Sequence, residues 1–349
     1  MHKTIKVLII DDSALIRALL REMINSDRRF SVVAEAKDPY EARELIKAHD
    51  PDVLTLDVEM PRMNGITFLS NLMRLRPMPV VMISTLTQEG APATLEALEL
   101  GAVDFLPKPQ TGGDTALELY RELILEKLYW ASKANVLVDV RPKAAPSEMN
   151  SLLHNRHLKA GFICAIGAST GGTEAIKHVL EALPENSPPI VITQHIPAAF
   201  SGSFARRLDN LCQIKVYEAE HNQIIEPGNA YLAPGHSHLR VFKTPKGYVC
   251  RLDQADPVNR HRPSVEVLFD SVAQQVGKNS LGVMLTGMGA DGADALLRLR
   301  TAGAATLAQD EATSVVWGMP GAAVARGAVE KILPLDKIAR AIIQAAFKS

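Results

Sequence analysis

The stretch Ile5-Lys6-Val7-Leu8-Ile9-Ile10-Asp11-Asp12 is followed by SALIRALLREMINS at 13–26 and FSVVAEA at 30–36. An apolar run, a helix-period segment and a second apolar run in that order read as βα units around a parallel sheet. The alternation continues through DPYEARELIKAH, DVLTLDVEM, ITFLSNLMRLR, PVVMIST, APATLEALELG and VDFLPKP. With TALELYRELILEKLYW as the last helix this makes five strands and five helices. Such a set suits a doubly wound domain of flavodoxin-like strand order.

After Trp130 the periodicity fades, and the proline-dotted, mixed-charge stretch at 140–161 reads as a linker. A second α/β series starts at FICAIGAS and passes through TEAIKHVLEAL, PIVITQH, FSGSFARRLDNLC, AYLAPG and YVCRL. It closes with VEVLFDSVAQQV, LGVMLTG, ADALLRLRTAG, ATLAQD, AAVARGAV and IARAIIQAAF. The expected layout is a first domain over 1–125, a helix end and linker over 126–158, and a second domain over 159–349. Two domains also suit a length of 349 residues, since domains run to roughly 100–200.

A net charge of -1 supplies no global field toward nucleic acid or anionic lipid. The three cysteines, Cys164, Cys212 and Cys250, lack C-x-x-C spacing, which argues against a disulfide framework or a zinc site. The N-terminus does not resemble a signal peptide, and no apolar run approaches ~20 residues. The expectation is a cytoplasmic protein with no nucleic-acid partner and no membrane insertion.

Charged and hydroxyl residues of the first series fall at strand ends: Asp11 and Asp12 after the first, Asp57 on the third, Ser84 and Thr85 on the fourth, Lys108 after the fifth. Open α/β sheets bind ligands there. Converging carboxylates raise one another's pKa unless a cation compensates, and hard oxygen donors suit Mg²⁺. Such a site can run phosphoryl transfer onto Asp57, with Lys108 and Ser84 on the phosphoryl oxygens. The alternative is that Asp11 and Asp12 merely cap the following helix.

The DDS turn, LDVEMPRMNG around Asp57 and FLPKP around Lys108 resemble the receiver domains of two-component response regulators, over about residues 5–125. The resemblance implies phosphoryl transfer from a sensor histidine kinase. It also implies Mg²⁺ held by Asp11, Asp12, Asp57 and the main-chain carbonyl of Glu59, and an aromatic switch at Phe105. Asn64 and Pro107 depart from the pattern.

In the second series Gly167-Ala168-Ser169-Thr170-Gly171-Gly172 follows a strand and opens a helix, matching the G-x-S-x-G nucleophile elbow. A glycine-rich phosphate cradle or a plain helix cap would use similar residues. A Walker cradle needs Gly-Lys-Ser/Thr, and a dinucleotide site usually has an acid ending the next strand; here that strand ends Gln194-His195. His195 is placed to serve as base, and Asp291 in LTGMGADG to orient it. Read singly, a strand-end histidine such as His195 is more often structural, and the isolated Asp291-Gly292 pair reads better as a turn-stabilising aspartate. The order Ser169, His195, Asp291 differs from that of α/β-hydrolases, so a different fold is expected. The Gly287-Met288-Gly289 backbone and Thr170 are candidates for an oxyanion hole.

IGASTGG, ITQHIP, PVNRHRPSVEVLF and LTGMGADG, in that order behind a receiver, resemble the chemotaxis methylesterase family CheB over nearly the whole chain. The resemblance implies a Rossmann-like catalytic domain with Ser169 as nucleophile, His195 as base, Asp291 as its orienter and the Thr170 and Met288 amides as oxyanion hole. It implies hydrolysis of glutamate γ-methyl esters on transmembrane chemoreceptors, with glutamine deamidation in many members, and no cofactor for that chemistry. Arg260, His261 and Arg262 read either as groove lining for an acidic receptor surface or as a solvated basic loop. The competing function is a non-catalytic signalling adaptor; a transcription regulator would need a basic helix-turn-helix that is lacking.

Overall fold

The computed structural model describes residues 3–85, 90–109, 114–136 and 157–348. Contacts divide the chain into two compact units, Met1–Leu137 and Val138–Ser349. Most of the stretch read as a linker lies outside the described residues.

The first unit carries strands β1 (Ile5–Ile10), β2 (Phe30–Ala36), β3 (Val53–Asp57), β4 (Val80–Ser84) and β5 (Asp104–Pro107). All pair in parallel, in the order β2-β1-β3-β4-β5. Helices α1 (Ala14–Asn25), α2 (Pro39–His49), α3 (Gly65–Leu75), α4 (Ala91–Glu99) and α5 (Asp114–Ala131) alternate with them. Val7 to Ile10 are buried, as expected of a central parallel strand covered on both faces. Ser13, not either aspartate, caps α1, its hydroxyl accepting from Ile16 N. Asp11 is thereby released from the capping role that would have explained it away.

The second unit is built on β7 (Ile163–Ala168), β8 (Ile190–Gln194), β9 (Lys215–Glu218), β10 (Asn229–Leu232), β13 (Ser280–Met284), β14 (Ala305–Gln309) and β15 (Lys331–Leu333). These form a parallel sheet ordered β15-β14-β13-β7-β8-β10-β9. It departs from the doubly wound 3-2-1-4-5-6 order chiefly in that β10 slots between β8 and β9. Helices α6 (Gly172–Glu181), α7 (Ala198–Leu211), α8 (Val265–Gln275), α9 (Ala293–Thr301), α10 (Met319–Ala325) and α11 (Leu335–Ala346) accompany it. The hairpin β11 (His238–Thr244) and β12 (Gly247–Asp253) packs its inner residues, among them Leu239, Val241 and Cys250, into one core with Phe269 of α8. At the unit's edge β6 (His157–Leu158) pairs antiparallel with β16 (Phe347–Lys348).

Each sheet has one point where the chain reverses its direction of growth: between β1 and β3 in the first, between β7 and β13 in the second. Ligand crevices open at such points, beyond the carboxyl ends of the strands. Asp11 and Asp57 end the first pair of strands; Ser169 and the loop leading to Asp291 follow the second. Among the described residues no helix is long and apolar enough to cross a membrane.

Candidate active site and receiver site

The serine site is assembled where three strands end together. Leu285 N bonds Gly167 O, His195 N bonds Ala168 O and Ser169 N bonds Thr286 O, so β7, β8 and β13 leave the sheet tied to one another. Gly171 follows in the left-handed region at φ 72° and starts α6. Gly287 lies against the serine so closely that a Cβ there would stand 2.9 Å from Ser169 Cβ. Only glycine lets the Gly287-Met288-Gly289 backbone approach the hydroxyl this way.

Ser169, His195 and Asp291 form one hydrogen-bonded line. His195 Nδ1 is 3.1 Å from Ser169 Oγ, and His195 Nε2 is 2.9 Å from Asp291 Oδ2. Facing a carboxylate, Nε2 carries the ring proton and donates it; Nδ1 is then the acceptor for the serine hydroxyl. Ser169 and Asp291 are buried, and the His195 side chain is only 9% exposed.

Asp291 is held by more than the histidine. Its Oδ1 accepts from Ser264 Oγ at 2.8 Å and Asn259 Nδ2 at 2.9 Å, and its Oδ2 from Val265 N at 2.7 Å. Ser264 occupies the cap position of α8, yet its side chain makes no capping bond; Asp291 does the capping from outside. A carboxylate at a helix N-terminus is stabilised by the exposed amides and the dipole. Burial would raise the Asp291 pKa, but the His195 hydrogen bond and charge, with Asn259 and Ser264, outweigh it and bring it down to about 2. Asn259 and Ser264 do not stand out in the sequence; the signal for them is the PVNRHRPS stretch, in which the basic residues draw the eye.

Of the three basic residues of this stretch, Arg260 and Arg262 are exposed and His261 is half-buried. Arg262 Nη1 donates to the carbonyls of Gln254 and Ala255, and the His261 ring stacks on His195.

In the first unit Asp11, Asp12 and Asp57 bring carboxylate oxygens within 4.8 Å of one another. Lys108 Nζ reaches Asp57 Oδ2 at 2.7 Å and stands 3.5 Å from Asp11 Oδ2, which is buried and makes no hydrogen bond. Burial, with the charge of Asp11, pushes the Asp57 carboxyl up to about 6 despite Lys108. Burial also raises Asp11. For Lys108, burial pulls downward but Asp57 and Asp11 outweigh it, so its pKa is raised and it stays charged. One lysine against three carboxylates, with an orphaned buried oxygen, is a donor set that fits a hard divalent cation.

Ser84 is buried at the end of β4, where its neighbour strand is tied by Lys108 N to Ser84 O at 2.8 Å. The Phe105 ring is buried, with Lys127 Nζ 6.0 Å from its centroid. Glu59 is exposed and its amide donates to Asp57 Oδ1 at 3.3 Å. Asn64 caps α3 through Thr67 N.

Known proteins place both units. Residues 7–118 match the response regulator receiver domain and residues 164–342 the CheB methylesterase domain. A protein-glutamate methylesterase/protein-glutamine glutaminase of Saccharophagus degradans is 64% identical over 99% of this chain and 100% of its own. One from Burkholderia lata is 52% identical over 97% of this chain and 95% of its own. Among solved structures, the Thermotoga maritima CheB methylesterase catalytic domain covers 53% of this chain and 99% of its own, at 36% identity and a TM-score of 0.52. These matches run along nearly the whole sequence, and the chain belongs to the CheB methylesterase family, with a response regulator receiver domain ahead of its catalytic domain.

Proposed function

We propose that this chain is a phosphorylation-controlled protein-glutamate methylesterase that also deamidates glutamine, acting on chemoreceptors in sensory adaptation. The observation that carries the hydrolase is the continuous Ser169–His195–Asp291 hydrogen-bonded line. In this reading Ser169 Oγ attacks the γ-ester carbonyl carbon while His195 Nδ1 takes the hydroxyl proton. The resulting oxyanion is met by the amides of Thr170 and Met288. Collapse expels methanol, protonated by His195, and leaves a glutamyl ester on Ser169. Water, deprotonated by the same imidazole, then releases the glutamate. A glutamine substrate follows the same course with ammonia as leaving group. Asp291, held ionised, keeps the proton on Nε2 and balances the imidazolium.

The receiver accepts its phosphoryl group on Asp57 from a sensor histidine kinase. Asp11, Asp12, Asp57 and the Glu59 carbonyl would hold Mg²⁺, which when bound neutralises charge on the phosphoryl oxygens. Lys108 is placed to pair with the transferred group, and Ser84 and Phe105 to respond to it. The receiver takes residues 1–125, and the hydrolase residues 159–349 together with the edge strand His157–Leu158 that pairs with its C-terminus.

Purified chain incubated with methylated receptor membranes should release methanol, faster after phosphorylation. No release from either form would leave the non-catalytic adaptor as the better reading.

A further inference from the structure

Asn259 and Arg260 form the tip of a tight turn. Val258 and His261 exchange both backbone hydrogen bonds across it, at 3.0 and 2.9 Å, and both tip residues are left-handed, with φ of 52° and 69°. Two left-handed residues in succession mark a type I′ turn, which favours asparagine first and glycine second. Arginine in the second place carries a steric penalty that glycine would avoid. Such strain is found where surrounding structure over-determines the backbone. Here the segment just after the tip is fixed twice: Arg262 donates to the carbonyls of Gln254 and Ala255, and Ser264 N donates to Nδ1 of the buried His238.

The turn aims both of its chemically capable neighbours at the base and its acid. Asn259 Nδ2 donates to Asp291 Oδ1. The His261 imidazole lies on that of His195 with centroids 3.6 Å apart and planes inclined by 13°.

His195 makes its two side-chain hydrogen bonds through Nδ1 and Nε2. They oppose rotation within the ring plane. Tilting about the line joining those two atoms keeps both distances, so the bonds oppose it only weakly, yet it turns the Nδ1 lone pair out of its best alignment with the serine hydroxyl. A flat ring in contact with one face blocks that tilt and excludes water from the face. We propose that His261 is a positioning residue, acting through His195 by holding its imidazole in the plane that joins Ser169 to Asp291. The role asks for a flat ring in van der Waals contact and not for a titrating one. It rests on the reading that Ser169, His195 and Asp291 carry the hydrolysis.

The test is steady-state methanol release by the full chain, phosphorylated, on methylated receptor membranes, for His261→Ala, His261→Phe and Ser169→Ala. His261→Ala should lower kcat by ~10–100-fold with KM within about twofold, because misplacement of a catalytic group is felt in the chemical step. His261→Phe, which keeps the flat contact, should return kcat to within about threefold of the parent. If circular dichroism shows the alanine variant poorly folded, His261→Leu, bulky but not flat, takes its place with the same expectation.

Parent-like kcat in the alanine or leucine variant would overturn the proposal. So would a phenylalanine variant no better than alanine, which would indicate a hydrogen-bonding or charge role, or an effect confined to KM, which would indicate substrate contact. Ser169→Ala separates the two levels: if it is inactive while His261→Ala is parent-like, only the positioning role fails. If it turns over normally, the hydrolase reading fails and the positioning role with it.

Discussion

His195 presents Nδ1 to Ser169 and Nε2 to Asp291, the reverse of the serine-protease arrangement in which Nε2 faces the nucleophile. The acid is therefore required to keep the proton on Nε2. Asparagine at 291 would offer an amide to Nε2, drive the proton onto Nδ1 and leave Ser169 facing a donor. Ser169→Ala should lower turnover by about 10⁶ and Asp291→Asn by about 10⁴, the usual ranking for units of this kind. Methanol release with kcat determined for each variant checks the order; near-parental turnover in Ser169→Ala would remove the nucleophile.

Gly287 gives a second, purely steric prediction. A Cβ there would stand 2.4 Å from Met319 Sδ and 2.9 Å from Ser169 Cβ, so the loop must retreat from the nucleophile. Gly287→Ala should cost roughly 10²-fold in kcat through displacement of the Met288 amide and the serine. A crystal structure of the variant with the loop unmoved, or unchanged kcat, would contradict this.

Much of this was legible in the sequence because the parallel strands at the centre of each sheet are apolar almost throughout. IKVLII and FICAIGA announce themselves by composition, and the residues just after them fall at the ligand-binding edge. Strands β9, β11 and β15 do not stand out in the sequence. KVYE is only four residues long, and HLRVFKT mixes polar with apolar residues at a surface where β12 covers one side. The two-residue pairing of β6 with β16 has no local signature at all. At the site, Ser264 carries a misleading signal: a serine before an apolar helix reads as its cap, whereas its hydroxyl goes to Asp291. Pairings of that kind join positions 27 residues apart and depend on the fold.

Asp57 links chemistry to stability. Its carboxyl is raised from 3.8 to about 6 in the folded receiver, so the folded state binds the proton more tightly than the unfolded one. The group then stabilises the receiver at acid pH, and this is lost as pH rises from about 4 through 6, by on the order of 2–3 kcal/mol. Asp57→Asn should abolish acid-labile phosphorylation and raise the melting temperature of the receiver at pH 7.5 in the presence of a chelator. Mg²⁺ should stabilise the parent receiver and leave the variant nearly unchanged. Phosphorylation at normal stoichiometry in Asp57→Asn would assign the acceptor elsewhere.

The last prediction concerns control of the hydrolase by the receiver. Asp57 and Ser169 belong to separate compact units, so Asp57→Asn should leave the unphosphorylated esterase rate as it is in the parent. The simplest coupling is restraint: the unphosphorylated receiver holds the hydrolase in a less active arrangement, and phosphorylation relieves it. Each tenfold of activation needs only ~1.4 kcal/mol of differential stability. A catalytic fragment makes the comparison, and the structure says where to cut. Lys159 N bonds Ala346 O, Lys159 Nζ bonds Ala345 O, and His157–Leu158 pair with Phe347–Lys348. A fragment beginning a few residues before His157 keeps this edge, whereas one beginning at Lys159 loses a strand. Under restraint the fragment should hydrolyse receptor esters faster than the unphosphorylated full chain. Initial rates of the fragment, the full chain and the phosphorylated full chain decide the matter. A fragment slower than the unphosphorylated chain would rule out restraint and require that the phosphorylated receiver stimulate the catalytic unit directly. A fragment between the two full-length rates would mean that relief and stimulation both operate.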